Sequence, residues 1–294
     1  MEARSHVVAG PDGDALCVED SGPSDGRAVL VHPGSPGSRR LFRPDAELAA
    51  SRFGLRLLAF DRPGYGGRPA RPGRCAADIV AEVRCVADAL GIERLGVWGF
   101  SGGGPYALAC AALLPELVTG AAVFASFAPY GAPGLDFCGE WPAEHRREVE
   151  LFFTDRPAAR EHWRQDTERF LAVCSEPEGW MRRWGDLAGT DVAHSVEVAA
   201  HLAAEVRDAL GGGDDGYWDD WVATLTPWGF DVADIKVPVR LWHGVRDRNV
   251  PVTNGHWLAA NVPGIVAAFS DDEDHSTVED DNKAAAYAWL SRLA

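Results

Sequence analysis

The chain has 294 residues, of which 46% are hydrophobic and 24% charged, with a net charge of -16 at pH 7. Length sets a prior of one or two domains, and the composition is that of a globular chain able to bury about three quarters of its unfolded surface. Disorder, collagen-like repeats and coiled coil are excluded, and 44 acidic against 28 basic residues argue against a nucleic-acid face or an anionic membrane as partner.

The N-terminal run MEARSHVVAGPDGD lacks the apolar segment of a signal peptide, and Pro115, Pro129 and Pro133 break the longest apolar stretches. A cytoplasmic protein is expected. The six cysteines form no C-x-x-C pair and lie in apolar segments, as small buried hydrophobes do. In chain order, 14–20 and 28–32 read as strands, 45–53 as a helix and 55–60 as a buried strand. Residues 76–91 place Ile79, Val83, Val86, Ala87 and Leu90 at helical spacing, with Gly91 as the stop. A strand at 94–98, a helix at 102–114 and a strand at 118–125 follow. Near-continuous apolar strands alternating with helices predict a parallel sheet covered on both faces, an α/β fold. The alternation stops near 130. Residues 130–230 carry amphipathic stretches at 143–153 and 191–210 and seven of the eleven tryptophans. It resumes with a strand at 237–242, a helix at 253–261, a strand at 265–269 and a helix at 280–293. The predicted domain plan is a core of 1–129 and 231–294 with a helical insertion at 130–230.

Gly99-Phe100-Ser101-Gly102-Gly103 lies between a predicted strand and a predicted helix. G-x-S-x-G in that context is a nucleophile elbow: flanking glycines permit a tight turn, and the serine is lifted to a helix N-terminus. Serine needs a base to take its proton, and the base needs an orienting acid. Asp247 follows the strand 237–242 and His275 follows 265–269, so both fall on the sheet edge that carries Ser101. The oxyanion hole needs two backbone donors. Gly102 supplies one. In the loop His32-Pro33-Gly34-Ser35-Pro36, prolines have no N–H, so Gly34 or Ser35 supplies the other, Ser35 being preferred.

On these residues the chain resembles an α/β-hydrolase-fold serine hydrolase of the proline-iminopeptidase-like and small-esterase branches, which include cofactor-free haloperoxidases. The resemblance rests on HPGSPGS at 32–38, DRPGYG at 61–66, GFSGGGPYALA at 99–109, LWHGVRD at 241–247 and DHS at 274–276. It implies Ser101 as nucleophile, Asp247 as acid, His275 as base, no cofactor, and 130–230 as a cap lining the acyl pocket. Two positions depart from the pattern. Pro33 stands where relatives often have histidine or glycine, and Asp271, Asp272, Glu273 and Asp274 precede His275 where relatives are glycine-rich. Carboxylates there are expected to favour the charged imidazolium.

Phe100, Phe127 and His32 are candidate substrate contacts. His32 and His243 lack a third partner for a metal site, so no metal is expected. The expected reaction is hydrolysis of a small-to-medium ester, thioester or lactone with a hydrophobic part, without nucleic-acid or membrane partners; monomer and homodimer both remain open. A prolyl-type aminopeptidase is the alternative, with Glu140, Glu144, Glu148 and Glu150 capturing an amine. Non-hydrolytic cyclase or lyase chemistry and simple ligand binding on the same fold are the others.

Overall fold

The computed structural model describes residues 3–188 and 196–293, with backbone alone over 183–188. The strands are β1 (Arg4–Ala9), β2 (Ala15–Ser21), β3 (Arg27–His32), β4 (Leu55–Phe60), β5 (Leu95–Phe100), β6 (Val118–Phe124), β7 (Val239–Gly244) and β8 (Val266–Ser270). They form one sheet in the order β1-β2-β4-β3-β5-β6-β7-β8. β2 is antiparallel to both neighbours, and every pairing from β4 to β8 is parallel. Sequence reading passed over β1. As an edge strand it buries only Val8, so it lacks the apolar run that marks the central strands.

Successive strand residues point to opposite faces, and the two faces bury two cores. Leu30, Leu58, Val97 and Val123 pack with residues of α2 (Ile79–Leu90), α3 (Gly104–Leu113) and α9 (Val252–Asn261). Val29, Leu57, Trp98 and Phe124 pack with α1 (Arg43–Phe53) and α10 (Thr277–Leu290). The predicted stop of α2 is present: Gly91 takes φ 64° and its N–H closes the last turn. α3 is buried over its first eight residues, and its small residues allow close packing on β5 and β6.

Between β6 and β7 the chain inserts α4 (Ala143–Thr154), α5 (Arg156–Cys174), α6 (Pro177–Ala188), α7 (Val196–Leu210) and α8 (Asp215–Leu225). α4 matches the stretch predicted at 143–153. α7 matches 191–210 from Val196 onward, and 191–195 lie outside the described residues. α5 buries only Ala159, Thr167 and Cys174, which explains its faint amphipathic signal. Among the described residues, no helix is long and apolar enough to cross a membrane.

Candidate active site

The parallel strands deliver four segments to one sheet edge: the loop after β3, the turn after β5, and the loops after β7 and β8. β5 is buried up to its last residue, Phe100. The chain then turns at Ser101, whose φ is 52°. A non-glycine residue held in that region costs about 1–3 kcal/mol, which the surrounding packing must supply. Gly99 and Gly103 make the turn possible. A Cβ on Gly99 would lie 2.7 Å from the Ala107 Cβ and 2.8 Å from the Gly103 carbonyl oxygen, and one on Gly103 would collide with the His32 carbonyl. Side chains at either position would separate β5 from α3 or α3 from the β3 loop.

His275 Nε2 lies 3.0 Å from Ser101 Oγ, and His275 Nδ1 lies 2.8 Å from Asp247 Oδ2. Asp247 is 7% exposed, and its Oδ1 accepts the Asn249 and Val250 N–H groups at 2.8 Å each. His243 holds the same loop from below, with its Nε2 2.9 Å from the Val250 carbonyl. Burial lowers the His243 pKa and keeps that ring neutral. A His275 tautomer that donates Nδ1–H to Asp247 leaves Nε2 as an acceptor facing the Ser101 hydroxyl. Of the acidic run before His275, Asp272 pairs with Arg246, Glu273 accepts from Asn282, and Asp274 accepts from the Ser276 and Thr277 N–H groups.

The β3 loop lies over the elbow. A Cβ on Gly102 would sit 2.5 Å from Ser35 Oγ and 3.3 Å from Ser35 N, and one on Gly34 would sit 3.5 Å from Ser101 Cβ. Ser35 therefore lies against Gly102, and Gly34 against Ser101.

A cavity of about 520 Å³ opens at this point, bounded by Gly34, Ser35, Phe100, Ser101, Gly102 and His275 from the core and by residues of α4 to α8. Part of its wall is aromatic: Phe127, Trp141, Trp163 and Trp221 line it and contact one another, with Trp163 stacked on Trp221 at 5.3 Å. Another part is polar, with Glu205 of α7 and Glu279 and Lys283 of α10. Burial pushes the Glu205 carboxyl up to about 8 and the Glu279 carboxyl up to about 7, against the opposing pull of the Ser38 N–H and the Trp98 indole N–H respectively. Of the insertion tryptophans, Trp141, Trp163, Trp180 and Trp221 line the cavity and Trp228 packs in the core; the Trp184 side chain lies outside the described residues.

Of the candidate substrate contacts, Phe100 and Phe127 line the cavity and His32 does not. Its ring is 2% exposed, lies between Phe60 and Tyr106, and has Nε2 3.7 Å from the Cys110 thiol. Burial holds its pKa down to about 3, so it is a neutral core residue beneath the loop. The four glutamates considered for amine capture do not converge. Glu140, Glu144 and Glu150 are exposed, and only Glu148 reaches the cavity, where it faces His162. Sequence reasoning missed Asp220, which approaches Ser35 from α8, and both Glu205 and Glu279. Arg62 was visible within the 61–66 motif, whereas Asp220 sits in an unremarkable run, Asp219-Asp220-Trp221.

The family model described as alpha/beta hydrolase fold matches residues 27–173. A pimeloyl-[acyl-carrier protein] methyl ester esterase of Aromatoleum aromaticum is 28% identical over 229 residues, covering 76% of this chain and 81% of its own length. A proline iminopeptidase of Neisseria meningitidis is 34% identical over 113 residues, 35% of this chain and 33% of its own. Among solved structures, an esterase from Rhodococcus sp. ECU1013 superposes with a TM-score of 0.70 at 20% identity, covering 100% of both chains. Sheet order, matched residues and overall superposition agree, and the chain belongs to the alpha/beta hydrolase fold family.

Proposed function

We propose that the protein is a serine hydrolase that cleaves a small-to-medium carboxylic ester, thioester or lactone through an acyl-enzyme on Ser101. The observation that carries this reading is the unbroken chain of contacts from Ser101 Oγ to His275 at 3.0 Å and from His275 to Asp247 at 2.8 Å. Ser101 Oγ attacks the substrate carbonyl while its proton passes to His275 Nε2. The carbonyl oxygen takes the negative charge between the Ser35 and Gly102 N–H groups. His275 returns the proton to the leaving alcohol or thiol as the acyl bond breaks. Water then attacks the acyl-serine, giving its proton to His275, and the acid departs as Ser101 is reprotonated. Asp247 holds the imidazole in the required tautomer and offsets its transient charge.

The insertion acts as a cap in this reading. Its aromatic wall suits a hydrophobic acyl or alcohol part, and the Glu205–Glu279 wall suits a hydrogen-bonding group on the remainder. An aminopeptidase is less well supported, because the glutamates of α4 do not gather at the cavity. The test is hydrolysis of a p-nitrophenyl ester series from acetate to decanoate. Wild type is expected to turn over with an optimum at short or medium chains, and Ser101→Ala to lose about 10⁴-fold or more of kcat. Equal rates in both proteins would refute the assignment.

A further inference from the structure

We propose that Asp220, on the inserted helix α8, is a positioning residue for the oxyanion hole, so that the hole is complete only while α8 is docked on the core. The proposal rests on the hydrolase reading above. Asp220 is 2% exposed and collects donors from several separate segments. Its Oδ2 accepts from Ser35 Oγ at 2.5 Å, Arg62 Nη2 at 2.7 Å and the Tyr65 hydroxyl at 2.8 Å. Its Oδ1 accepts from Arg74 Nη2 at 2.7 Å and from the Tyr106 hydroxyl of α3 at 2.6 Å. Burial alone would raise this carboxyl, but the Arg62 and Arg74 charges outweigh it and hold the pKa well below the usual range. It stays ionised and keeps both guanidiniums paired.

Arg62 carries the geometry onward. Its Nη1 donates to the Pro33 carbonyl at 2.9 Å and its Nη2 to the Gly34 carbonyl at 2.8 Å. In a trans peptide the C=O and the N–H point in opposite directions. Fixing the Gly34 carbonyl toward Arg62 therefore aims the Ser35 N–H away from Arg62, and fixing the Pro33 carbonyl does the same for the Gly34 N–H. The Ser35 hydroxyl is held by the same pair, donating to Asp220 and accepting from Arg62 Nη2 at 3.1 Å. The loop carries Pro33 and Pro36, so few of its own N–H groups are available to hold it, and the buried charge pair replaces them. Docking of α8 is equally specific. A Cβ on Gly64 would collide with the Gly216 backbone, and Gly216 offers its carbonyl to Arg74 at 3.1 Å. Backbone meets backbone there, which brings Asp220 within reach of Arg62 and Tyr65.

The experiment compares wild type, Asp220→Asn and Ser35→Ala on p-nitrophenyl butyrate. Active sites are titrated with a fluorophosphonate, and inhibition by butylboronic acid is measured, because its tetrahedral adduct places an oxygen in the hole. Ser35→Ala retains both backbone donors and the Arg62–Asp220 pair. Expected per titrated site is a kcat lower by about 10-fold in Ser35→Ala and about 10²-fold in Asp220→Asn, with KM within about twofold and boronate affinity falling by the same factor as kcat/KM. A merely structural role lowers the titratable fraction while leaving kcat per site and boronate affinity unchanged; that result overturns the proposal. If Asp220→Asn does not fold, as a buried arginine pair without its carboxylate can cause, Ser35→Ala decides by the same criteria. A wild type that neither turns over nor binds the boronate overturns this proposal together with the hydrolase reading, whereas an active wild type with unchanged variants overturns this proposal alone.

Discussion

In the proposed mechanism, Asp247 acts without meeting substrate. Its Oδ1 is occupied by two backbone N–H groups, so Oδ2 has one orientation available, toward His275. Asp247→Asn keeps the shape and presents an amide that favours the wrong imidazole tautomer. Its kcat is expected to fall about 10⁴-fold with little change in KM, read on any ester that wild type accepts. Glu205 makes a different contribution. Its carboxyl is about 8 in the folded chain against an ordinary value near 4.3 unfolded. Between those values the folded state binds more protons than the unfolded state, so stability falls as pH rises and the loss is complete above about 8. Glu205→Gln is expected to flatten the decline of Tm between pH 5 and pH 9, measured by differential scanning fluorimetry. An unchanged slope would mean that the carboxyl is ionised in its cavity.

At the scale of elements, the central strands and the segments they deliver were legible because each carries a strong local signal. β4 and β5 are apolar runs, and Gly99, Gly103 and Ser101 mark a turn that few sequences allow. The order acid then histidine follows from the topology, and Asp247 and His275 do meet beside Ser101. The edge strand β1, the helices α5, α6 and α8, and the role of His32 were not legible. Their signals are spread over contacts distant in sequence: His32 became a core residue because Phe60, Tyr106 and Cys110 enclose it. Asp220 was invisible for the same reason, since its partners range from Ser35 to Tyr106. α8 offers the test at this scale. Gly216→Ala inserts a Cβ between α8 and the Gly64 turn, 2.6 Å from the Gly64 carbonyl carbon. Overpacking of this kind costs about 1–3 kcal/mol. Tm is expected to fall by several degrees and kcat to fall with it. A variant of wild-type stability and activity would show that the contact yields without cost.

For the whole molecule, two sets of carboxyls act in opposite directions on stability: buried Asp20 and Asp220, and the cavity-lining Glu205 and Glu279. Asp20 of β2 ties the sheet edge together, accepting from Arg4 of β1 and Arg56 of β4 at 2.8 Å each, with His6 also at 2.8 Å. Burial opposes its ionisation, but those bonds prevail and hold its pKa well below the usual range, as the arginines do for Asp220. Their stabilisation is fully present above the unfolded carboxyl value of about 4 and is lost as pH falls. Glu205 and Glu279, raised to about 8 and about 7, lose theirs as pH rises. Buried His32 and His243 are held neutral, so their contribution grows as pH rises to about 6.5. Tm is therefore expected to be highest near pH 6 and to fall on both sides; a plateau extending to pH 9 would contradict the upward shift argued for the two glutamates. The central claim remains that Ser101 is an activated nucleophile. Its most direct test is reaction of the folded protein with a fluorophosphonate, followed by intact mass and peptide mapping. One adduct per chain is expected, located on Ser101 and absent from Ser101→Ala. A folded wild type that takes no label, or one labelled equally after the substitution, would contradict it.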